Sequence, residues 1–157
     1  MDMMRRTLLK GAGSTGILAA ALAAGVFKPT GAWAEQQSRA AFETKDLAAA
    51  MTQIGAVGAV ETRDLALKAP DIAENGAMVP VDVVSNIPNT VSIAVLVDAN
   101  PFPLSSVFEF GADAVPEISV RLKLAQTSNV KAIAKTADGK YFVAQKEVKV
   151  TAGGCGG

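Results

Sequence analysis

The sequence contains no histidine and only one cysteine, Cys155. Without histidine the chain lacks the commonest general base and the commonest metal ligand, and no Ser-His or Cys-His pair can form. With one cysteine there is no Cys-x-x-Cys motif, no internal disulfide and no resolving thiol. No basic run is present, which argues against nucleic acid as a partner. The apolar stretch over 11–26 holds 10 Gly or Ala in 16 residues. It is too short and too weakly hydrophobic for a membrane span, which needs roughly 20 apolar residues. No second membrane segment is visible, and no internal repeat.

What is present is concentrated at the two ends. The last five residues are Gly153-Gly154-Cys155-Gly156-Gly157, which take four of the fourteen glycines. Glycine lacks a Cβ and has the largest conformational freedom, so it suits backbone that must move or pass through a tight space. A thiol carried this way can enter another protein's pocket and is poorly placed for a core. An odd cysteine in an exported protein points to an intermolecular bond or to a reactive thiol. The symmetric glycine flanks favour insertion, because a simple inter-chain bond gains little from so much lost order. An unperturbed thiol has a pKa near 8.5 and is only about 3% thiolate at pH 7. The nearest basic residue, Lys149, is six positions away. Activation is therefore expected to come from another protein's site.

The first 34 residues read as an export signal. Arg5-Arg6 precede Thr7-Leu8-Leu9-Lys10 and the apolar stretch, and Ala32-Trp33-Ala34 fits a small-x-small cleavage site. The paired arginines resemble a twin-arginine signal for folded cargo. Met4 stands where the consensus has Ser/Thr, and Leu8 where it has Phe. The alternative is an ordinary secretory signal that holds two arginines. Cleavage after Ala34 would leave 123 residues, enough for one domain with a core, with a formal charge of −3.

Within 35–151 the spacing predicts one helix over 38–54. Leu47, Met51 and Ile54 share a face, Thr44 or Ser38 would cap the start and Gly55 would end it. Period-two alternation follows. Val79, Val81 and Val83 face one way. Val91, Ile93, Val95 and Val97 are opposed by Ser92, Ala94, Leu96 and Asp98, and Ile118, Val120, Leu122 and Leu124 by Ser119, Arg121 and Lys123, so these are expected to be half-buried strands. Strands are also expected at Arg63–Ala69, as a first edge, and at Leu104–Phe110, Val130–Thr136 and Tyr141–Thr151. Asn75-Gly76 and Asp138-Gly139 are tight-turn dipeptides that tolerate positive φ. Asn100-Pro101-Phe102-Pro103 cannot continue a ladder. Its Phe102 could be a docking knob, but an interstrand turn with Phe102 tucked inward is the favoured reading.

The expected fold is all-β: an immunoglobulin-like antiparallel β-sandwich of about seven short strands, with a short N-terminal helix. Residues 152–157 form a flexible arm leaving the last strand. Cys155 lies four residues past Thr151. That is a reach of at most about 13–14 Å, enough to enter a narrow channel while the domain docks at its mouth.

These features together resemble the SoxY family, the sulfur-carrier subunit of periplasmic thiosulfate oxidation. The most specific part is Val150-Thr151-Ala152-Gly153-Gly154-Cys155-Gly156-Gly157. Support comes from 69–80, Ala69-Pro70-Asp71-Ile72-Ala73-Glu74-Asn75-Gly76-Ala77-Met78-Val79-Pro80, and from Asp98-Ala99-Asn100-Pro101-Phe102-Pro103. The resemblance implies that Cys155 is the covalent attachment point for sulfur intermediates and that the chain is a carrier, not an enzyme. It implies no cofactor on this chain. The implied partners are a SoxZ-like subunit in a heterodimer, a c-type haem enzyme that couples thiosulfate to the thiol, a metal-dependent hydrolase that releases sulfate and, where present, a sulfane dehydrogenase. A cofactor-free domain with Arg5-Arg6 suggests export as a folded pair, carrying a signal-less partner with it. The reading from another class is a periplasmic interaction module, disulfide-linked through Cys155.

Overall fold

A computed structural model describes residues 39–151. Residues 39–43 are helical and residues 44–46 are not; a seven-residue helix, α1, then runs over Leu47–Gln53. The single helix expected over 38–54 is thus broken. Asp46 has extended backbone (φ −104°, ψ 129°), and its carboxylate accepts the Ala49 N–H at 2.8 Å. That is an N-cap, worth about 1 kcal/mol. The cap is therefore neither of the two expected residues. The Thr44 hydroxyl instead donates to the Ala40 carbonyl, and Ser38 lies outside the described residues. Gly55 ends α1 as expected, with φ +79°, and a Cβ there would sit 2.8 Å from the Tyr141 hydroxyl. Both the conformation and the space require glycine.

Nine strands follow among the described residues: β1 (Val60–Glu61), β2 (Leu65–Lys68), β3 (Ile72–Ala73), β4 (Val79–Ser85), β5 (Thr90–Val97), β6 (Leu104–Glu109), β7 (Glu117–Leu122), β8 (Ser128–Thr136) and β9 (Tyr141–Val150). The larger sheet has the order β1-β9-β8-β5-β6, with β3 also beside β9; the smaller is β2-β4-β7. The seven longer strands pair antiparallel throughout, with β2 at an edge of the smaller sheet. The sequence reading lacks β1 and β3. Both are two-residue additions that pair parallel with β9.

The alternating valines meet between the sheets. Val79, Val81 and Val83 of β4 and Ile118 of β7 join Ile93, Val95 and Val97 of β5 and Val130 and Val148 of β8 and β9 in one buried cluster. The alternation does not leave β5 half-exposed, however. Ile93 through Val97 are all buried. Ala94, Leu96 and Ile133, on the outer face, pack with Ala41, Ala50 and Leu104, and α1 lends Leu47 and Met51. The helical segment therefore covers the outside of the larger sheet, forming a second apolar layer.

Of the two tight-turn dipeptides, Asp138-Gly139 takes the expected positive φ and Asn75-Gly76 does not. Gly139 takes φ +82° in the β8–β9 hairpin, donating its N–H to the Thr136 carbonyl at 2.9 Å. The Lys140 ammonium and then the Thr136 hydroxyl hold the neighbouring Asp138 carboxyl down, from 3.8 to about 2. At Asn75-Gly76 the Asn75 side chain makes the turn by accepting the Ala77 N–H at 2.8 Å. Positive φ is taken by Gly55, Gly58, Gly139 and Asn89 (57°), not by Gly76.

Candidate functional site

The base of the C-terminal segment is built from strand β9 outward. Pairing of β9 with β8 ends at Ser128↔Val148. Lys149, Val150 and Thr151 run past the end of β8 and need other hydrogen-bond partners. Successive strand residues present their N–H groups to opposite sides, and both sides are met. Towards β3, the Lys149 N–H donates to the Asp71 carbonyl at 2.9 Å and the Thr151 N–H to the Ala73 carbonyl at 3.1 Å. On the other side the Val150 N–H donates to the Thr127 hydroxyl at 3.0 Å. The Thr151 hydroxyl then donates to the Glu74 carbonyl at 3.2 Å.

Three loops close this end of the sandwich and are tied to one another. The Leu124 N–H donates to the Gly76 carbonyl at 2.7 Å, joining residues 123–127 to residues 69–78. Asn100 joins residues 98–103 to the same loop, donating to the Lys123 carbonyl at 2.7 Å and accepting the Ala125 N–H at 3.1 Å. The Ala99 N–H donates to the Ser128 hydroxyl at 2.9 Å. Beneath them, the Lys131 ammonium is paired with the Asp98 carboxylate. From the other edge of the base, the Lys146 ammonium donates to the Ala69 carbonyl at 2.5 Å and lies 3.0 Å from the Asp71 carboxylate.

This end also presents apolar side chains to solvent: Ile72, Met78 and Phe102 are 59%, 63% and 48% exposed. Phe102 is thus not tucked inward, contrary to the favoured expectation. Pro101 and Pro103 flank it, and Asn100 holds the loop through its amide, so the sandwich interior is filled without it. At the opposite end, between the β4–β5 and β6–β7 connections, lies a cavity of about 580 Å³ lined by uncharged residues that include Ile87, Asn89, Thr90, Phe110 and Pro116.

Cys155 and the glycines at 153, 154, 156 and 157 lie outside the described residues, as do Arg5 and Arg6. The structure therefore gives the root of the thiol-bearing segment and its surroundings. Among the described residues, no group of three His, Cys, Asp or Glu side chains could hold a metal ion. No helix among them is long and apolar enough to cross a membrane. The sequence reading misses Thr127, Lys146 and the role of 69–76. That stretch stands out for its resemblance, but a two-residue parallel strand has no periodicity to reveal it.

The family model for SoxY, "Sulfur oxidation protein SoxY", matches residues 51–155. No curated protein matches the chain. Among solved structures, the sulfur carrier protein SoxY from Chlorobium limicola f thiosulfatophilum is 36% identical, with a TM-score of 0.59, over 66% of this chain and 94% of that one. A superoxide reductase (neelaredoxin) from Ignicoccus hospitalis matches with a TM-score of 0.50 at 23% identity, over 57% of this chain and 81% of that one. At that identity the likeness is one of fold alone. The family match takes in the sandwich from β1 onward, the three tied loops and the single cysteine, and on that basis the chain belongs to the SoxY family of sulfur oxidation proteins.

Proposed function

We propose that this chain is a sulfur carrier that holds intermediates of thiosulfate oxidation on the sulfur of Cys155 and presents them to partner enzymes. The observation that carries this reading is the family match, which runs through residue 155 and so includes the only thiol in the chain. Loading would be an oxidation: the Cys155 thiol and thiosulfate form an S–S bond, releasing one proton and giving two electrons to a c-type haem partner. Unloading would be a hydrolysis: water attacks the terminal sulfone, sulfate leaves, and a persulfide remains on Cys155. A sulfane dehydrogenase, where one exists, would oxidise that persulfide sulfur further. The haem and metals belong to those partners, and this chain contributes a nucleophilic sulfur and its placement.

The surroundings of the arm root support this division of labour. The strand that leads to the arm is hydrogen-bonded to Thr151, and exposed Ile72, Met78 and Phe102 stand on the same end. Such side chains suit contact with another protein. A SoxZ-like subunit completing a heterodimer, export through Arg5-Arg6 with cleavage after Ala34, and a periplasmic location form part of the same proposal. To test the chemistry, the chain is incubated with ³⁵S-thiosulfate and the haem-containing coupling enzyme. Label should stay on the chain through denaturation and leave with reductant. Absence of reductant-sensitive label would refute the loading step.

A further inference from the structure

We infer that Thr127 and Lys146 are positioning residues that fix where the carrier arm begins. The proposal deepens the carrier reading and rests on it. Strand β9 outlasts β8 by Lys149, Val150 and Thr151, because the last β8 partner is Ser128, opposite Val148. An ordinary hairpin end would fray at that point. Here the Thr127 hydroxyl substitutes for the missing β8 residue by accepting the Val150 N–H. On the far side stands β3, only two residues long and parallel to β9. Such a pairing is too short to persist unaided. It is pinned upstream by the Lys146 ammonium on the Ala69 carbonyl and downstream by the Leu124 N–H on the Gly76 carbonyl. Asp71 is 88% exposed, so its ion pair with Lys146 is the lesser part of that hold.

The consequence is a set length. With the root fixed at Thr151, Cys155 lies four positions beyond it. With the root freed, the tether begins after Val148 and gains three residues, or about 10 Å of reach at roughly 3.3–3.6 Å each. A longer tether spreads the same thiol over a larger volume and lowers its effective concentration at a docked active site. The restraint therefore concentrates Cys155 where a partner's channel opens.

The test uses the full exported chain with nitroxide labels on Cys155 and on Ser119→Cys, an exposed site in β7. Label-to-label distances are measured in the parent, in Thr127→Val, in Lys146→Met and in Lys146→Arg. Thr127→Val and Lys146→Met should stretch the distance distribution outward by up to about 10 Å, and Lys146→Arg should restore it. Amide exchange at Lys149, Val150 and Thr151 should quicken by up to about tenfold for each hydrogen bond lost, while Val130 in the core is unmoved. Thr127 is exposed on a loop, so its variant tests the proposal even where Lys146→Met folds poorly. Unchanged distances and exchange overturn the restraint. With the coupling enzyme, the variants should lower kcat/KM for the carrier; altered distances with an unaltered kcat/KM overturn its part in delivery. The label readout needs no sulfur chemistry, so failure of the carrier reading would appear separately, as an arm that is positioned and never loaded.

Discussion

Replacing Cys155 with serine should abolish thiosulfate oxidation by cells that depend on this chain, without changing the stability of the sandwich. In the proposed carrier the sulfur atom is both the nucleophile and one half of the bond that would hold the cargo. A serine oxygen forms no comparable bond to a sulfane sulfur, and an alcohol is far less readily ionised than a thiol. The histidine-free sequence offers no base to compensate. The loss should therefore be complete. Cys155 lies four positions past Thr151 and outside the buried clusters of the sandwich, so thermal or denaturant unfolding of the variant should match the parent within about 0.5 kcal/mol. Thiosulfate consumption in a strain carrying only the serine chain checks the first half, and an unfolding curve the second.

The second large effect lies in the fold. Leu96 is fully buried on the outer face of the larger sheet, beneath the helical segment. Leu96→Ala should cost about 2–5 kcal/mol, through lost apolar burial and the cavity left behind. That is a large share of the roughly 5–15 kcal/mol by which such domains are stable. Val107, 37% exposed on β6 and paired with Ala94, provides the comparison. Val107→Ala should cost well under half as much, since it removes two methyl groups from a partly exposed side chain. Urea unfolding midpoints of the two variants measure the difference. A small loss for Leu96→Ala would mean that the helical segment does not seal the sheet.

Leu96 also shows where the sequence was legible and where it was not. The valines of β4, β5 and β7 alternate, and their apolar faces meet between two sheets, so the sandwich follows from period two alone. The same pattern suggested solvent on the outer face of β5, although Ala94 and Leu96 there are apolar. Local periodicity assigns residues to faces, but it cannot say what covers a face. The helix that does so is broken at 44–46, because Asp46 hydrogen-bonds as a cap. Helical spacing on either side conceals such a break.

The thiol and its glycines lie outside the described residues and rest on the sequence, where a lone cysteine between two glycine pairs has little use in a packed core or an internal disulfide. The root of the arm was not. Thr127, an exposed loop threonine, and β3, two residues of unremarkable composition, acquire meaning only when β9 is seen to outrun β8. Phe102 was misplaced for a related reason. Flanking prolines identify a turn, but the direction of its side chain depends on the Asn100 amide bridging to Lys123 and Ala125.

The carrier reading depends above all on sulfur residing on Cys155. The decisive measurement is the intact mass of this chain purified from cells oxidising thiosulfate, before and after reductant. Sulfur-containing adducts should be found on the monomer, should disappear with reductant and should never form on Cys155→Ser. A single unmodified mass, with all of Cys155 in a stoichiometric disulfide to another protein, would overturn the carrier reading.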